Sequence, residues 1–208
     1  MVDTDRIELF TRTIQARMNE YGVNLLPDAT EQLSEYYALL GRWNERLHLV
    51  APCSAEEFAT RHVLESLILL RFLPENAVIA DIGSGAGLPI IPCLIARPDI
   101  EATLIESSQK KSVFLRECLN RLGIATRGTI VAKPFQETAR PVVDFVTCRA
   151  LDELVSRISE LLKWTPEKAT LLLFGGQTLQ RKLNELGTHY NDFLIPNSEK
   201  RFLFKVTR

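Results

Sequence analysis

Cysteine is scarce in this 208-residue chain, and no two cysteines form a C-x-x-C pair. The four cysteines are Cys53, Cys93, Cys118 and Cys148. Scattered thiols of this kind are typical of reduced, mostly buried residues in a cytosolic protein, rather than of zinc ligands or disulfides. We therefore predict no metal site and a cytoplasmic location.

Long apolar runs and an excess of one charge are absent as well. No stretch approaches the roughly 18 apolar residues of a membrane span, and the first 20 or so residues lack a signal-peptide core. The chain carries 25 basic and 26 acidic residues, for a formal net charge of −1. A chain with this net charge has no overall positive electrostatic field to attract a polyanion. A nucleic-acid partner would therefore have to bind a local cluster of basic residues. We expect no membrane partner.

The chain changes its pattern at residue 77. Before it, apolar residues recur at helical spacing, with predicted helices at 4–21, from 27 onward and at 55–71. After it, predicted strands alternate with predicted helices. The strands are 77–82, 101–106, 127–132, 142–148 and 169–174, and the helices are 87–96, 109–122, 151–163 and 178–187. Two last strands, 189–195 and 200–206, flank a turn that suits a hairpin.

This alternation predicts an α/β fold with a Rossmann-like, mostly parallel sheet and helices on both faces. The closing hairpin adds an antiparallel strand, which is the layout of class I methyltransferases. We assign residues 1–76 to an N-terminal helical cap and 77–208 to the methyltransferase core. A three-helix segment of about 70 residues is marginally stable alone, which favours a cap over an independent domain.

A glycine-rich loop follows the first predicted strand, with the sequence Asp81-Ile-Gly-Ser-Gly-Ala-Gly-Leu-Pro89. Its spacing is G-x-G-x-G, not the G-x-G-x-x-G of dinucleotide-binding proteins. Glycine lets the backbone adopt positive φ or approach a ligand closely, and ligands bind beyond the carboxyl ends of such strands. The predicted ligand contacts in this loop are Asp81, Gly83, Ser84, Gly85, Gly87 and Leu88.

Glu106 ends the next predicted strand, where an acid accepts hydrogen bonds from the ribose of a nucleoside cofactor. That position is compatible with NAD, but NAD brings a pyrophosphate that favours the other glycine spacing. S-adenosylmethionine has no phosphate and carries a sulfonium and an ammonium, which suit Asp81 at the start of the loop. The sequence thus predicts S-adenosylmethionine. The alternative for Glu106 is a solvated acid that pairs with Lys110 or Lys111.

Residues that follow two further predicted strands are candidate ligand contacts. The segment 131–136 is expected to flank an adenine, with Phe135 offering its ring and its backbone, although a plain loop is the alternative. Arg149, after the fourth strand, is predicted to direct a charged donor at the transferable group, unless it forms a structural ion pair. Cys148 has no histidine beside it in sequence, so we interpret it as a buried strand cysteine.

The chain resembles the RsmG (GidB) family, the bacterial 16S rRNA guanine-N7 methyltransferases, from about residue 25 onward. The matching segments are Arg42-Trp-Asn44, 61–67, 81–89, 104–107, Arg149-Ala150 and 201–205. The glycine loop alone indicates a methyltransferase. The Arg61-His62 pair on a preceding helix, together with Arg149-Ala150, is what points to this family.

The resemblance implies cofactor contacts at Gly83, Leu88, Arg149 and the Pro134-Phe135 pair. The matched segment 104–107 adds Ser107 beside Glu106. It also implies that Arg61, His62 and Arg149 help to form an RNA-facing cleft. The expected reaction is methyl transfer from S-adenosylmethionine to guanine N7 of 16S rRNA, within the small subunit or an assembly intermediate, by a monomer.

Four short segments depart from the family pattern. His48 and Val50 stand where the family usually has Asn and Thr, and Ile90 stands for a glycine. Phe135 replaces the acid of an Arg-x-Glu triplet, and Gly175 replaces the lysine of a Lys-Gly pair. These departures leave two alternatives open, namely a methyltransferase that acts on a small molecule or protein, and a non-catalytic RNA-binding or ribosome-binding protein with the same fold.

Overall fold

The computed structural model describes residues 3–149 and 152–207, so Ala150 of the Arg149-Ala150 pair lies outside the described residues. Within these ranges, seven strands form one sheet in the order β3-β2-β1-β4-β5-β7-β6. The strands are β1 (Val78–Ile82), β2 (Glu101–Ile105), β3 (Gly128–Val131), β4 (Phe145–Cys148), β5 (Thr170–Gly175), β6 (Tyr190–Leu194) and β7 (Phe202–Val206). Strands β1 to β5 pair in parallel, and β7 runs antiparallel to both β5 and β6. The predicted mostly parallel sheet with a closing antiparallel hairpin is confirmed.

The regular helices are α1 (Thr4–Arg17), α2 (Pro27–Leu47), α5 (Ile90–Ala96), α6 (Gln109–Arg121), α7 (Asp152–Trp164) and α8 (Gln177–Glu185). Local capping explains several starts. The Asp3 side chain accepts the Arg6 N–H at 2.8 Å before α1, and Pro27 occupies the first turn of α2. Helix α5 begins three residues later than predicted, because the glycine loop continues to Pro89.

The predicted helix at 55–71 is continuous but irregular. It starts as α3 (Ala55–Glu57), becomes a π-helix over Phe58–Leu64, returns to α-helix in α4 (Glu65–Leu67) and ends as a 3-10 helix over Ile68–Phe72. We call residues 55–72 the irregular cap helix. A π-helical turn often marks a functional position, and this one carries the Arg61-His62 pair.

Successive strand residues face two apolar clusters, one on each side of the sheet. Ile79 packs with the cap helices, α5 and α6, whereas Ala80 packs with residues of α7 and α8. Phe10 and Phe58 of the cap belong to the same cluster as Ile79. The helical segment and the sheet thus share one core, and the division at residue 76 stays a prediction.

The parallel register brings three strand ends to one edge of the sheet. Ile82 pairs with Ile105 of β2 and with Cys148 of β4. The residues that follow these strands therefore start side by side, at the edge where ligands of such sheets bind. Across residues 3–149 and 152–207, none of the helices is long and apolar enough to span a membrane.

Candidate active site

Backbone hydrogen bonds connect the glycine loop to the end of β2. The N–H groups of Gly83 and Ser84 donate to the Ile105 oxygen at 2.8 and 3.3 Å, and Gly87 donates to the Ser84 oxygen at 2.6 Å. Gly87 has φ +83°, and a Cβ there would lie 2.3 Å from the Ile91 side chain. Since an L side chain fits neither that conformation nor that space, the last loop glycine is required by the fold.

Glu106 is held in place by backbone donors on both oxygens. Its Oε2 accepts the Gly85 N–H at 2.8 Å and its Oε1 accepts the Ser108 N–H at 2.8 Å. The side chain is buried, and it forms no ion pair with Lys110 or Lys111 within the described part of the chain. Each carboxylate oxygen can accept a second hydrogen bond, so two hydroxyls can still bind here.

The sequence pattern predicted Asp81 at the start of the loop. In the structure Asp81 is instead a residue of β1, where it pairs with Leu104 of β2 and Thr147 of β4. It is fully buried, and its side chain follows Ile79 to the cap face of the sheet. Neither carboxylate oxygen has a hydrogen-bond partner among the described residues, and the nearby Ser84 hydroxyl donates to the Asp81 backbone oxygen at 3.1 Å.

Burial raises the pKa of Asp81 well above its usual range, and the charge of Glu106 adds to this effect. An ionised carboxyl without a partner is costly in such surroundings. A cation bound at the loop would stabilise its charged form.

Arg149 was predicted to direct a charged donor at the transferable group. In the structure its guanidinium faces the irregular cap helix. It donates to the His62 oxygen at 2.9 Å, to the Ser66 hydroxyl at 2.7 Å and to the Arg61 oxygen. It also lies 3.4 Å from Glu65, so the structural ion pair weighed as the alternative is present. The side chain still borders the cavity described below, but most of its donors are engaged by protein.

Glu65 joins Arg149 to an arginine from the C-terminal hairpin. Its Oε1 accepts hydrogen bonds from Arg201 at 3.1 Å and 2.6 Å, and only 2% of its side chain is exposed. We call Glu65, Arg149 and Arg201 the arginine wall. Sequence reasoning missed Glu65 as a site residue, although its place four residues after Arg61 on a helix was an available indication.

A cavity of 710 Å³ separates the glycine loop from the arginine wall. Seven of the predicted site residues line it, namely Arg61, His62, Gly83, Ser84, Gly85, Leu88 and Arg149. The lining residues that the sequence did not single out as site residues include Leu49, Val50, Ala51, Glu65, Lys111, Phe174, Gly176, Leu179, Ile195 and Arg201. The cavity therefore has one face built by the glycine loop and one built by the cap and the hairpin.

The remaining predicted residues lie around this cavity or face away from it. Ser107 is exposed, and the Pro134 oxygen accepts the Glu137 N–H at 3.0 Å within a short 3-10 turn. The ring of Phe135 is buried against Trp164, with the ring centroids 5.8 Å apart. The ring thus contributes to the core beneath α7, and its contact with an adenine stays a prediction.

The titratable side chains near the cavity do not form an acid–base pair. Burial, and then the charges of Arg149 and Arg61, lower the pKa of His62 to about 4, so it is neutral at pH 7. Cys148 is buried, its thiol donates to the Ile82 oxygen at 2.7 Å, and burial raises its pKa. The interpretation of Cys148 as a structural cysteine is confirmed. In the ranges that the structure covers, no group of three His, Cys, Asp or Glu residues is arranged to hold a metal.

The structure gives local reasons for the departures from the family pattern. His48 ends α2 with φ 47°, a left-handed conformation that Asn also adopts readily. Ile90 is fully buried at the start of α5. A Cβ on Gly175 would lie 2.5 Å from the Leu179 side chain, so a lysine there would require Leu179 to move. Backbone conformation and packing thus account for these residues.

The comparisons agree with this geometry. A family model described as GidB, rRNA small subunit methyltransferase G, matches residues 29–203. The ribosomal RNA small subunit methyltransferase G of Halorhodospira halophila is 34% identical over 175 residues, which cover 83% of this chain and 82% of that protein. Its counterpart from Gluconobacter oxydans is 36% identical over 173 residues, covering 80% and 86% of the two chains.

A SAM dependent methyltransferase from Aquifex aeolicus has the same fold, with a TM-score of 0.59 at 15% identity over 73% of this chain and 93% of its own. The sheet order with its reversed β7 is accordingly that of class I S-adenosylmethionine-dependent methyltransferases. The match over residues 29–203 and the relatives at 34% and 36% identity establish that this chain belongs to the GidB family of rRNA small subunit methyltransferases.

Proposed function

We propose that this protein transfers the methyl group of S-adenosylmethionine to N7 of a guanine in 16S rRNA, within the small ribosomal subunit or an assembly intermediate. We further propose that it acts as a cytoplasmic monomer. The observation that carries the proposal is Glu106, a buried acid whose two oxygens are oriented by backbone N–H groups beside the glycine loop. Family membership supports rRNA as the acceptor.

The loop side of the cavity fits the cofactor. Glu106 would accept hydrogen bonds from the two ribose hydroxyls, and the open backbone at Gly83 and Gly85 allows close approach. Asp81, buried and without a hydrogen-bond partner among the described residues, would offset the positive charge of the ligand. Leu88, Ser107 and the backbone of 134–135 would border the rest of the molecule. When bound, S-adenosylmethionine supplies an electrophilic methyl group.

Guanine N7 needs no general base. It has an in-plane lone pair and no proton, so it could take the methyl group directly, with a new N–C bond in place of the C–S bond. The positive charge would pass from the sulfonium to the purine, and no proton would have to leave. This chemistry agrees with a neutral His62 and with a buried Cys148 thiol of raised pKa. Catalysis then depends on positioning the base in line with the methyl group.

The cap side of the cavity would receive the target nucleotide. Arg61 and His62 border it on the irregular cap helix, and Arg201 keeps 37% of its side chain exposed while it is anchored by Glu65. A guanine must be unpaired or splayed out of its helix to enter such a cavity, which is the usual mode of RNA recognition. We therefore place the acceptor between these arginines and the glycine loop.

The test is incubation of the protein with methyl-labelled cofactor and small subunits that lack the modification. We expect labelled N7-methylguanine in 16S rRNA, and none with the Glu106→Ala variant. Label on metabolites or protein but not on RNA would support the alternative methyltransferase. Failure to bind S-adenosylmethionine or S-adenosylhomocysteine in calorimetry would support the non-catalytic alternative.

A further inference from the structure

Some exposed cations on this protein are paired with an acid of their own helix. Examples are Arg61 with Glu57, Arg121 with Glu117 and Lys182 with Glu185. Arg46 of α2 and Lys110 of α6 belong to the larger group of exposed cations that have no ion pair within the described residues, and their position in the fold distinguishes them from the rest of that group. Cations that no neighbour neutralises are the ones available to a polyanion.

Helices α2 and α6 lie antiparallel. Near the start of α2, the Gln32 amide donates to the Leu122 oxygen just after the end of α6, at 3.3 Å. Near the end of α2, the Trp43 ring packs edge-on against Phe114, with the centroids 6.0 Å apart. The two contacts fix the direction and register of the seam between the helices.

That register brings Arg46 and Lys110 to the same end of the seam. Arg46 is three residues after Trp43, and Lys110 is four residues before Phe114, so each lies one turn from the ring on the same helix side. Because the helices are antiparallel, both displacements run in the same direction. Arg42 lies one turn behind Arg46 on the same side of α2 and is also exposed.

The end of the seam meets the cavity. Lys111, next to Lys110, lines the cavity, as does Leu49 just beyond α2. Glu45 is the neighbouring acid on α2, adjacent in sequence to Arg46, and its side chain is exposed. Arg42, Arg46 and Lys110 outnumber this neighbouring acid, on a chain whose net charge is −1.

We propose that Arg42, Arg46 and Lys110, the seam patch, bind the phosphate backbone of the RNA strand whose guanine enters the cavity. The inference rests on the proposed function. The Trp43–Phe114 packing sets the helix ends that carry these cations beside the cavity, which Leu49 and Lys111 line. Contacts of this kind position the RNA without reading its sequence.

The test compares the Arg46→Gln/Lys110→Gln variant with a matched control, Arg71→Gln/Lys168→Gln. The control pair is exposed, carries the same charge and precedes β1 and β5, at the opposite edge of the sheet. The measurement is the Kd for unmodified 16S rRNA over a range of salt concentrations. We expect the seam variant to bind roughly ten-fold or more weakly at about 0.1 M salt, with a salt slope lower by about two.

The cofactor affinity and the unfolding temperature of the seam variant should equal those of the wild type, and the control should bind RNA as the wild type does. Unchanged RNA affinity and salt slope, with a wild type that binds and methylates rRNA, would overturn the seam patch alone. A wild type that neither binds nor methylates rRNA would overturn the proposed function and the patch together. A seam variant that loses affinity only for anionic lipid vesicles would reassign the surface to membranes.

Discussion

The two walls of the cavity are built by different means. We call the glycine loop, most of whose residues line the cavity, together with Glu106, which is hydrogen-bonded to it, the loop wall. Backbone N–H groups that follow two adjacent strands hold the acid, and Gly85 is 21 residues from Glu106. On the arginine wall, side chains hold each other across 84 and 136 residues of sequence. The first arrangement needs only a glycine motif and a parallel strand pair. The second needs the cap, β4 and the C-terminal hairpin to be in place together, so its stability depends on the whole fold.

The largest effect is expected at Glu106 on the loop wall. Glu106→Ala removes the proposed ribose acceptor and leaves the Gly85 and Ser108 N–H groups without their partner. We expect the affinity for S-adenosylhomocysteine in calorimetry to fall about 100-fold or more, since hydrogen bonds to charged groups contribute about 1.5–3 kcal/mol each. Glu101→Ala, at the exposed start of the same strand, is the control and should bind normally. Equal affinities of the two variants for S-adenosylhomocysteine would contradict the assignment of Glu106 as the acceptor for the ribose hydroxyls.

On the arginine wall, Glu65→Gln should destabilise the protein by about 2–3 kcal/mol. The change leaves Arg149 and Arg201 without their shared counter-charge, and breaking a buried ion pair is costly. The matched control is Glu57→Gln on the same irregular helix, which loses only a solvent-exposed pair with Arg61 and should cost less than about 1 kcal/mol. The measurement is denaturant unfolding. An equal loss of unfolding free energy in the two variants would show that the buried ion pairs of Glu65 contribute no more than the exposed pair of Glu57 with Arg61.

Gly87→Ala probes whether the loop wall depends on backbone geometry. Its φ of +83° and the 2.3 Å approach to Ile91 predict a loss of about 2–3 kcal/mol in thermal unfolding. Gly123→Ala is the control, because Gly123 has φ +66° with nothing within 4 Å of an added Cβ. It should cost about 1 kcal/mol from backbone strain alone. If Gly87→Ala loses no more stability than Gly123→Ala, the Ile91 side chain can move away from the added Cβ at little energetic cost.

The smallest effect at neutral pH is expected at His62, whose backbone oxygen accepts a hydrogen bond from Arg149 of the arginine wall, because its contribution changes only under acid conditions. The folded state lowers the pKa of His62 from 6.5 to about 4, so it favours the neutral imidazole. This contribution is fully present above pH 6.5 and is lost as the pH falls from 6.5 toward 4, because the unfolded chain takes up the proton first. His62→Gln should flatten the stability profile in that window by up to about 3 kcal/mol. His189→Gln, at an exposed position, should keep the wild-type profile, and a steep profile in His62→Gln would contradict the assignment.

The sequence predicts the loop wall well, because its information is local. Strand and helix periodicity place Glu106 and the glycine loop at one edge of the sheet, and the glycine spacing indicates the ligand. Arg149 was harder to predict, since its hydrogen-bond partners on the irregular cap helix lie 83 to 88 residues away in sequence. The π-helical turn has no sequence pattern of its own, and the burial of Phe135 depends on Trp164 from a later helix. Tertiary contacts decide these features.

The central claim is methylation of guanine N7 in 16S rRNA. Its most direct test is N7-methylguanine mapping in 16S rRNA from a strain that lacks this protein, with and without complementation. We predict that one N7-methylguanine disappears, returns with the wild-type chain and does not return with Glu106→Ala. An unchanged set of N7-methylguanines in the deletion strain would contradict the account.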